Sequence, residues 1–406
     1  MANIAVIGGG PAGLLAAACA AQSGHKTVLF ERNEKLGKKL YLTGKGRCNV
    51  TNVAEGERFF ENIARNPKFL FSALRGFSCA DIMGILEEQR VPLKIERGGR
   101  VFPCSDKSSD IINALGRYLN KFGVEVRLNQ KVLDLKKSSE GGFEVSTGSG
   151  ARTFDAVVLA TGGLSYPSTG SDGFGLKLAA SLGHTIQPPR AALVPLETVE
   201  DWPKQLTGLS LKNVSLSVLR KGRAIYDELG EMLFTHFGVS GPLVLSASSM
   251  IADAPEGARL SIDMKPGLTP EQLDRRLVRD FDAEPNRHLA NAMKELLPSR
   301  MIPVVLSHVR IEPNKPVNQV AREERQRLAQ CLKDIPLTVK GALPIEEAII
   351  TRGGINVKEI DPSTMESKLV PGLYFAGEII DVDALTGGFN LQIAFSTGAL
   401  AGRSIP

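Results

Sequence analysis

The stretch NIAVIGGGPAGLLAAACAAQSGHKTVLFER, residues 3–32, decides the fold of this 406-residue chain. Residues 4–7 form a short apolar run that predicts a buried strand, and three glycines follow it in the spacing GxGxxG. Strong helix formers fill residues 14–21, and residues 27–30 predict a second strand that Glu31 closes. Strand, glycine turn, helix, strand and acid in this order predict a dinucleotide-binding unit far more specifically than the glycines alone.

Each position of the glycine turn has a physical role. Gly8 permits the sharp turn out of the strand, Gly10 leaves the backbone open to a pyrophosphate, and Gly13 lets the helix pack closely on the sheet. The helix N-terminus presents free N–H groups and the positive end of its dipole to the phosphates. Glu31 can accept hydrogen bonds from a ribose diol. We therefore predict that the ADP half of a dinucleotide contacts Gly8, Gly10, Pro11, Ala12, Gly13 and Glu31.

The composition is that of an ordinary globular protein. Hydrophobic residues make up 43% of the chain and charged residues 23%, with a formal net charge of +5, and the length allows two or three domains. The five cysteines include no CxxC pair, which favours a reducing, cytoplasmic location and argues against a disulfide framework or a metal site. The N-terminus lacks the basic residues of a signal peptide, and we expect no apolar run as long as a membrane span. We therefore expect no membrane partner.

Later segments contain further glycine-rich strand ends. VVLATGG, residues 157–163, predicts a buried strand, and GLYFAGEI, residues 372–379, predicts another. TGGFNLQIAFSTGALAG, residues 386–402, predicts a glycine turn that leads into an apolar helix. The last strand and helix would complete the sheet that begins with residues 3–32, so the nucleotide-binding domain would be discontinuous.

The region between these segments has a different pattern. Short strand patterns near residues 211–219 and 260–264 precede helical patterns at residues 270–281, 289–307 and 318–332. We therefore predict a cofactor domain of residues 1–190 and 343–406, a β-rich inserted domain of residues 191–267 and 333–342, and a helical inserted subdomain of residues 268–332.

The order of GGGPAG, VVLATGG and GLYFAGE resembles that of the two-dinucleotide-binding-domain flavoproteins, an α/β class with a Rossmann-like FAD-binding domain. Four longer motifs resemble the bacterial family of NAD(P)/FAD-dependent oxidoreductases over nearly the whole chain. That family includes proteins named aminoacetone oxidase-like, bile-acid-dehydroxylation-like flavoproteins and a branch reported as ribosomal RNA dihydrouridine synthase. The motifs are KLGKKLYLTGKGRCNVTN (35–52), GRVFPCSDKSSD (99–110), LFTHFGVSGP (233–242) and IDPSTMESKLVPGLYFAGEIIDVDALTGGFN (360–390).

The resemblance implies non-covalent FAD and a set of further contacts. In this class the loop after the second strand follows the cofactor from ribose to isoalloxazine, and the final helix points its N-terminus at the flavin. An acid at the end of the last strand reaches the ribityl chain; Glu378 replaces the usual Asp, and Asp381 could share its role. The implied FAD contacts are Arg32, Lys38, Lys39, Thr43, Gly44, Gly46, Arg47, Cys48, Asn49, Val132, Thr161, Gly162, Gly163, Gly377, Glu378, Asp381, Gly388, Asn390, Leu391 and Gln392.

Three residues are candidates for catalysis: Arg47, Cys48 and His236. Residues 32–47 contain six basic residues and one acid, which suits an anionic ligand, and Arg47 would face phosphates or the flavin edge that becomes anionic on reduction. Cys48 is either a packed thiol beside the flavin or a catalytic proton donor. His236 is either a proton-transfer residue, a role that histidine often has, or a structural histidine in the insertion.

Two further arginines, Arg100 and Arg352, could hold an anionic substrate or form structural salt bridges. No second complete GxGxxG unit is present in the sequence. We therefore expect NAD(P)H to bind transiently at the flavin face rather than in a domain of its own.

Three functions fit these features. The first is a reductase, in which NAD(P)H reduces FAD and a hydride then passes to an activated C=C bond, such as that of a uridine in 23S ribosomal RNA. The second is an oxidase of a small amine such as an amino ketone, with O₂ as the electron acceptor. The third is a flavin-binding, redox-sensing protein without turnover. The substrate is thus a small molecule or ribosomal RNA.

Basic residues in the insertion favour the RNA alternative. Residues 265–340 contain fourteen basic and ten acidic residues. Arginines three or four positions apart share a helix face, but acids interleave with them and no aromatic residues alternate, so RNA binding would depend on phosphate contacts. An ordinary surface with local ion pairs is the alternative. The arginines are Arg275, Arg276, Arg279, Arg322, Arg325 and Arg327.

Overall fold

A computed structural model describes residues 1–139 and 141–406, which form two compact units. The first, here called the nucleotide unit, consists of Met1–Ala192 and Ile345–Pro406. The second, the inserted unit, consists of Leu193–Pro344. The boundaries predicted from the sequence, at residues 190 and 343, lie close to these. The helices and the strands of the insertion belong to one unit rather than to two.

The strands of the first segment of the nucleotide unit are β1 (Asn3–Ile7), β2 (Lys26–Phe30), β3 (Thr51–Asn52), β4 (Ile63–Arg65), β5 (Leu93–Glu96), β6 (Arg100–Pro103), β7 (Glu125–Arg127), β8 (Val132–Lys137), β9 (Phe143–Thr147), β10 (Gly150–Phe154), β11 (Ala156–Leu159) and β12 (Ile186–Ala192). Its helices are α1 (Pro11–Gln22), α2 (Glu57–Phe60), α3 (Phe71–Gly76), α4 (Cys79–Glu88), α5 (Ser108–Lys121) and α6 (Phe174–Ser181).

The inserted unit contains the strands β13 (Leu196–Thr198), β14 (Ser210–Arg220), β15 (Arg223–Phe234), β16 (Gly238–Ser240), β17 (Arg259–Asp263) and β18 (Ile335–Ala342). Its helices are α7 (Trp202–Gln205), α8 (Pro242–Met250), α9 (Pro270–Ala283), α10 (Leu289–Ala292), α11 (Met301–Val309) and α12 (Arg322–Lys333). The chain then returns to the nucleotide unit with β19 (Ile350–Ile355), β20 (Leu373–Phe375), β21 (Asp383–Ala384) and α13 (Phe389–Ser404).

A parallel five-stranded sheet in the order β20-β11-β1-β2-β7 forms the centre of the nucleotide unit. β1 pairs with β2 on one side and with β11 on the other, and β20 pairs with β11. Their residues are almost all buried, as expected for parallel strands covered on both faces. The Rossmann-like fold predicted from residues 3–32 is therefore present, and the return strand β20 completes it.

Smaller sheets surround this centre. β8, β9 and β10 form an antiparallel sheet, β12 pairs with β19, β3 and β5 flank β6, and β4 pairs with β21. Since β12 and β19 lie on either side of the insertion in sequence, their pairing closes the nucleotide unit where the chain leaves and returns. Sequence patterns alone did not indicate this pairing.

The inserted unit contains a closed barrel in the order β13-β16-β15-β14-β17-β18. The helical pattern predicted at residues 289–307 is divided in the structure: α10 ends at Ala292, a 3₁₀ turn follows at Met293–Glu295, and α11 begins at Met301. Pro298 lies in this interruption, where proline can neither donate a backbone hydrogen bond nor fit a helix interior.

The helical stretch Pro67–Glu88 is long and apolar enough to cross a membrane, judged by length and composition alone. An apolar stretch of this length was not expected from the sequence. The structure divides the stretch. Phe77 after α3 has an extended backbone (φ −149°, ψ 102°), and Ser78 begins α4 with a capping box. Such a break leaves backbone groups that a bilayer does not satisfy, and Phe77 is buried in the core of the nucleotide unit.

His184 is a buried neutral histidine in the nucleotide unit. Its Nδ1 lies 3.2 Å from the carbonyl oxygen of Ala179 and its Nε2 lies 2.7 Å from Oγ of Ser367, so the ring donates through Nδ1 and accepts through Nε2. The ring also packs edge-on against Phe375. Burial lowers the pKa of His184 below its usual value.

This burial predicts a loss of stability at mildly acidic pH. A histidine with a lowered pKa in the folded state contributes fully above its unfolded pKa of about 6.5, and the contribution falls as pH decreases below it. We expect the free energy of unfolding in urea to fall between about pH 7 and 5.5, and His184→Gln to flatten that dependence. The exposed His236 provides the control His236→Gln, which should keep the wild-type slope. Equal slopes for His184→Gln and wild type would contradict the assignment.

Candidate functional site

The carboxyl ends of β1, β11 and β20 lie at one edge of the parallel sheet, where open α/β folds bind ligands. The glycine turn follows β1 at this edge. Among the described residues, no side chain caps the N-terminus of α1 at Gly10, and a Cβ added there would meet no atom within 4 Å. A Cβ on Gly13 would lie 1.9 Å from the carbonyl oxygen of Gly8. Space is therefore open at Gly10, where a pyrophosphate is expected, while Gly13 serves the packing.

Glu31 lies buried at the end of β2, beside the glycine turn. Its Oε2 accepts a hydrogen bond of 2.8 Å from the backbone N–H of Gly9. Its Oε1 accepts from the backbone and side-chain nitrogens of Asn33 at 2.8 and 2.7 Å. A carboxylate has about four acceptor positions, so Glu31 is oriented by the protein and retains capacity for a ribose hydroxyl.

The loop after β11 is attached to the end of β2. Arg32 Nη1 donates to Asp172 Oδ2 at 2.5 Å, and Asn33 Nδ2 donates to the Thr169 carbonyl oxygen at 2.8 Å. Val132, which begins β8, is buried and lies two residues after Gln130, whose backbone N–H donates to the Glu31 carbonyl oxygen at 2.9 Å. The structure thus pairs the Arg32 guanidinium with a carboxylate of the protein, and its FAD contact stays a prediction.

Lys39 and Glu378 form an ion pair of 2.6 Å between Nζ and Oε2. Ser165 Oγ lies 2.7 Å from the Lys39 ammonium and donates to Glu378 Oε1 at 2.9 Å. Lys38 instead pairs with Glu34 at 3.3 Å. The two neighbouring lysines thus have different environments, and both carboxylate oxygens of Glu378 contact the protein.

The segment Leu40–Gly46 is a 3₁₀ helix interrupted by left-handed residues. Gly44, Lys45 and Gly46 have φ values of 57°, 58° and 85°, which glycine adopts readily and lysine does not. Thr43 turns its hydroxyl back to the Leu40 carbonyl oxygen at 2.8 Å. The loop after β2 is therefore sharply folded, and its backbone rather than the Thr43 hydroxyl is open to a ligand.

Arg47 lies in a charged cluster next to this loop. Its Nη1 is 2.8 Å from Glu96 and 3.3 Å from Asp106, and its guanidinium lies 4.1 Å from the ring centroid of Phe102. The hydrogen bond from Arg47 is the main cause that lowers the pKa of Glu96. Arg100 is 3.6 Å from Glu96 in the same cluster. Arg47 is thus engaged by carboxylates, and its catalytic role stays a prediction.

Cys48 is completely buried and has a left-handed backbone, with φ of 61°. Burial raises the pKa of its thiol to about 12. The thiol is therefore protonated at neutral pH and does not provide a thiolate nucleophile. This environment suits the packed-thiol alternative, while proton donation by Cys48 remains a prediction.

Two buried polar atoms without hydrogen-bond partners in the described residues belong to predicted FAD contacts. Over the described ranges, the buried side-chain atoms without a hydrogen-bond partner are Asn49 Oδ1, Thr161 Oγ1 and Trp202 Nε1. Trp202 belongs to the inserted unit. Asn49 and Thr161 are both predicted FAD contacts, and buried polar atoms normally have partners. A bound FAD could supply these two with hydrogen bonds, so the residues present fit the cofactor.

The N-terminus of α13 is a second open helix end. Gly388 precedes it with φ of 101°, and no side chain in the described part of the chain caps it. Asn390 is held by the backbone of Ala384, to which its Nδ2 donates at 2.7 Å, and buried Gln392 accepts from the Thr51 hydroxyl at 2.6 Å. The half-buried Leu391 lies between them. The side chains of Asn390 and Gln392 thus fix the helix, while its N–H groups are open to an anionic or dipolar ligand.

The remaining predicted contacts lie at the sheet edge or near it. Gly377 has φ of 77°, and a Cβ there would lie 2.7 Å from that of Ala12. Gly162 and Gly163 follow β11, and a Cβ on Gly163 would lie 2.4 Å from Thr351 Oγ1. Close packing therefore explains the glycines at 163 and 377.

Two of the charged candidates, Asp381 and Arg352, form ion pairs within the protein. Asp381 is buried and accepts from Arg65 Nε at 2.6 Å. Arg352 forms two hydrogen bonds of 2.9 Å to the buried Asp383, which corresponds to the salt-bridge alternative. His236 is exposed between β15 and β16 in the inserted unit, and its role stays a prediction.

The fold and the site together define a Rossmann-like FAD-dependent oxidoreductase. The chain belongs to the family described as HI0933-like protein Rossmann domain, which it matches over residues 2–404. This membership confirms the resemblance seen in the sequence.

Two relatives align with nearly the whole chain. One is 3-dehydro-bile acid delta(4,6)-reductase of Clostridium scindens, 31% identical over 409 residues that cover 100% of this chain and 99% of the relative. The other is Ribosomal RNA dihydrouridine synthase of Escherichia coli, 32% identical over 392 residues that cover 97% and 95% of the two chains. Among solved structures, 3-ketosteroid-delta4-(5alpha)-dehydrogenase from Rhodococcus jostii RHA1 has a TM-score of 0.51 at 16% identity, with 100% and 96% coverage. That similarity shows the shared fold.

The open space at Gly10 predicts a specific loss of FAD. A valine side chain at position 10 meets no protein atom through its Cβ but occupies the expected pyrophosphate space. We expect wild type to release FAD and not FMN on heat denaturation, and Gly10→Val to fold without bound FAD. Gly116→Val is the control, since a Cβ on Gly116 also meets no atom within 4 Å. Normal FAD content in Gly10→Val would contradict this site.

Proposed function

We propose that this chain reduces a C=C bond conjugated to a carbonyl group, with electrons from NAD(P)H. In the overall reaction NAD(P)H and one proton yield NAD(P)⁺, and the C=C bond becomes a CH–CH bond. One observation carries the proposal: the relatives from Clostridium scindens, Escherichia coli and Haemophilus influenzae, which span nearly the whole chain, are named for reductions of this kind. A 3-dehydro bile acid with delta(4,6) bonds and a uridine each present an alkene next to a carbonyl group.

The residues of the nucleotide unit would hold FAD for this reaction. The open α1 N-terminus at Gly10 and the carboxylate of Glu31 suit the ADP half, while Asn49 and Thr161 offer unpaired buried oxygens. The open N-terminus of α13 provides a positive dipole end that favours negative charge nearby. Bound FAD would supply the two-electron hydride chemistry, and the chain would bind, orient and electrostatically stabilise it.

Uridine in ribosomal RNA is the substrate class that we propose first, with a small conjugated ketone as the second candidate. Three exposed arginines suit phosphate contacts: Arg275 on α9, and Arg322 and Arg327 on α12. Other arginines of the same helices form ion pairs, including Arg325, which lies 2.7 Å from Asp274. The bile-acid relative supports the second candidate with equal coverage of the chain. A cytoplasmic location, where NAD(P)H and ribosomes occur, belongs to the same proposal.

Substrate-dependent reoxidation tests the reaction. Under anaerobic conditions we expect NADH or NADPH to bleach the flavin absorbance, and 23S ribosomal RNA lacking dihydrouridine to restore it with formation of dihydrouridine. A 3-oxo-4,6-diene steroid is the parallel substrate for the small-molecule candidate. Deletion of the gene should remove a dihydrouridine from 23S ribosomal RNA in the cell. Hydrogen peroxide formation with an amino ketone, without reduction of either alkene, would contradict the proposal and identify an oxidase.

The arginine environments predict which substitutions weaken RNA binding. Replacing Arg275, Arg322 and Arg327 with Ala should weaken RNA binding and reduce the slope of log affinity against log salt by about 1 for each lost phosphate contact. FAD content should not change. Arg276→Ala is the control, because Arg276 is 3.5 Å from Asp280 and already paired. An unchanged salt slope in the triple variant would exclude this surface as the RNA contact.

A further inference from the structure

We propose that Glu378 is a positioning residue that fastens the FAD-contacting loop to the sheet edge through Lys39. The inference rests on the FAD-binding part of the proposed function. It gives Glu378 a role in addition to the ribityl contact that the resemblance suggested. The observations that support it are the hydrogen bonds of one carboxylate and the segments that these bonds connect.

Protein groups occupy both oxygens of Glu378. Oε2 accepts from the Lys39 ammonium at 2.6 Å. Oε1 accepts from Ser165 Oγ at 2.9 Å and from the backbone N–H of Thr351 at 2.8 Å. Three donors from three separate segments thus fix the carboxylate. These bonds orient the carboxylate from within the protein, and about one of its four acceptor positions stays open, as it does in Glu31.

The network connects parts of the chain that are distant in sequence. Lys39 lies in the loop after β2, Ser165 follows β11, Thr351 is in β19, and Glu378 follows β20. Ser165 is fully buried, and the side chains of Lys39 and Glu378 are each 21% exposed. Limited solvent access makes this ion pair stronger than a surface pair, because water screens it less.

The position of Lys39 explains what the network would do. Lys39 immediately precedes the segment Leu40–Gly46, whose left-handed residues need outside contacts to stay in place. Asn49, with its unpaired Oδ1, lies just beyond that segment. Fixing Lys39 at the sheet edge therefore sets the start of the loop that carries the predicted FAD contacts.

The neighbouring pair Lys38–Glu34 is a matched control within the same loop. Its Nζ and Oε2 atoms are 3.3 Å apart, and its side chains are 31% and 59% exposed. Exposed pairs of this kind contribute little. A general effect of charge near the loop would act through both pairs, whereas positioning would act only through Lys39 and Glu378.

The test compares FAD dissociation constants of the holoprotein variants Lys39→Met, Glu378→Gln and their double variant. We expect each single variant to bind FAD about tenfold more weakly, since a misplaced loop loses contacts, and the double variant to be no weaker than either single one. The visible flavin spectrum should change in the same variants. Lys39→Arg, which keeps a cation, should recover most of the affinity. Glu34→Gln, which removes the carboxylate of the neighbouring Lys38–Glu34 pair and changes no predicted FAD contact, should bind FAD like wild type.

Contrary results have distinct meanings. Wild-type FAD affinity and spectrum in Glu378→Gln would overturn the inference, as would a lower melting temperature of the apoprotein with unchanged FAD affinity. An equal loss of FAD affinity in Glu34→Gln would also overturn it. If the wild-type protein itself binds no FAD, the proposed function fails as well, and the flavin content of the purified wild type identifies that case.

Discussion

The nucleotide unit depends on the contact of α1 with the backbones on either side of it. A Cβ on Gly13 would lie 1.9 Å from the Gly8 carbonyl oxygen, and one on Gly398 would lie 2.2 Å from the Ala12 carbonyl oxygen. A Cβ on Gly402 would similarly lie 2.3 Å from the carbonyl oxygen of Ala16. α1 therefore touches the turn after β1 on one side and α13 on the other without intervening side chains. The pairs Ala12–Gly398 and Ala16–Gly402 show that α13 runs parallel to α1, with the start of α1 opposite the middle of α13.

Two ion pairs with buried carboxylates hold the segment that leads into α13. Arg352 and Asp383 form a bidentate pair whose side chains are 8% and 0% exposed, and Arg65 pairs with the buried Asp381. Removing one partner of a buried pair leaves an uncompensated charge and typically costs about 3–5 kcal/mol. These pairs fix the segment between β20 and α13, so α13 begins at a defined point.

Local sequence patterns predicted the parts of the site that belong to single segments. The GxGxxG turn, Glu31 and the strand ends at 161–163 and 377–378 follow from turn chemistry and strand periodicity within a few residues. Local patterns could not predict the ion-pair partners of three basic residues, because these partners lie 31 to 339 positions away in sequence. The pairs are Arg47–Glu96, Lys39–Glu378 and Arg352–Asp383. The long strand β15 and the β12–β19 pair were likewise missed, since their stability comes from distant strands.

The distribution of paired and unpaired groups shows how this site would recognise FAD. Arg32, Lys39 and Arg47 all have carboxylate partners within the nucleotide unit. The groups left open are backbone N–H groups at the starts of α1 and α13 and the neutral oxygens of Asn49 and Thr161. Charged residues thus shape the loop and the sheet edge, while backbone dipoles and neutral polar atoms are the groups that would face FAD. Such preorganised dipoles stabilise charge without the large desolvation cost of a buried ion, which suits a cofactor whose charge changes during turnover.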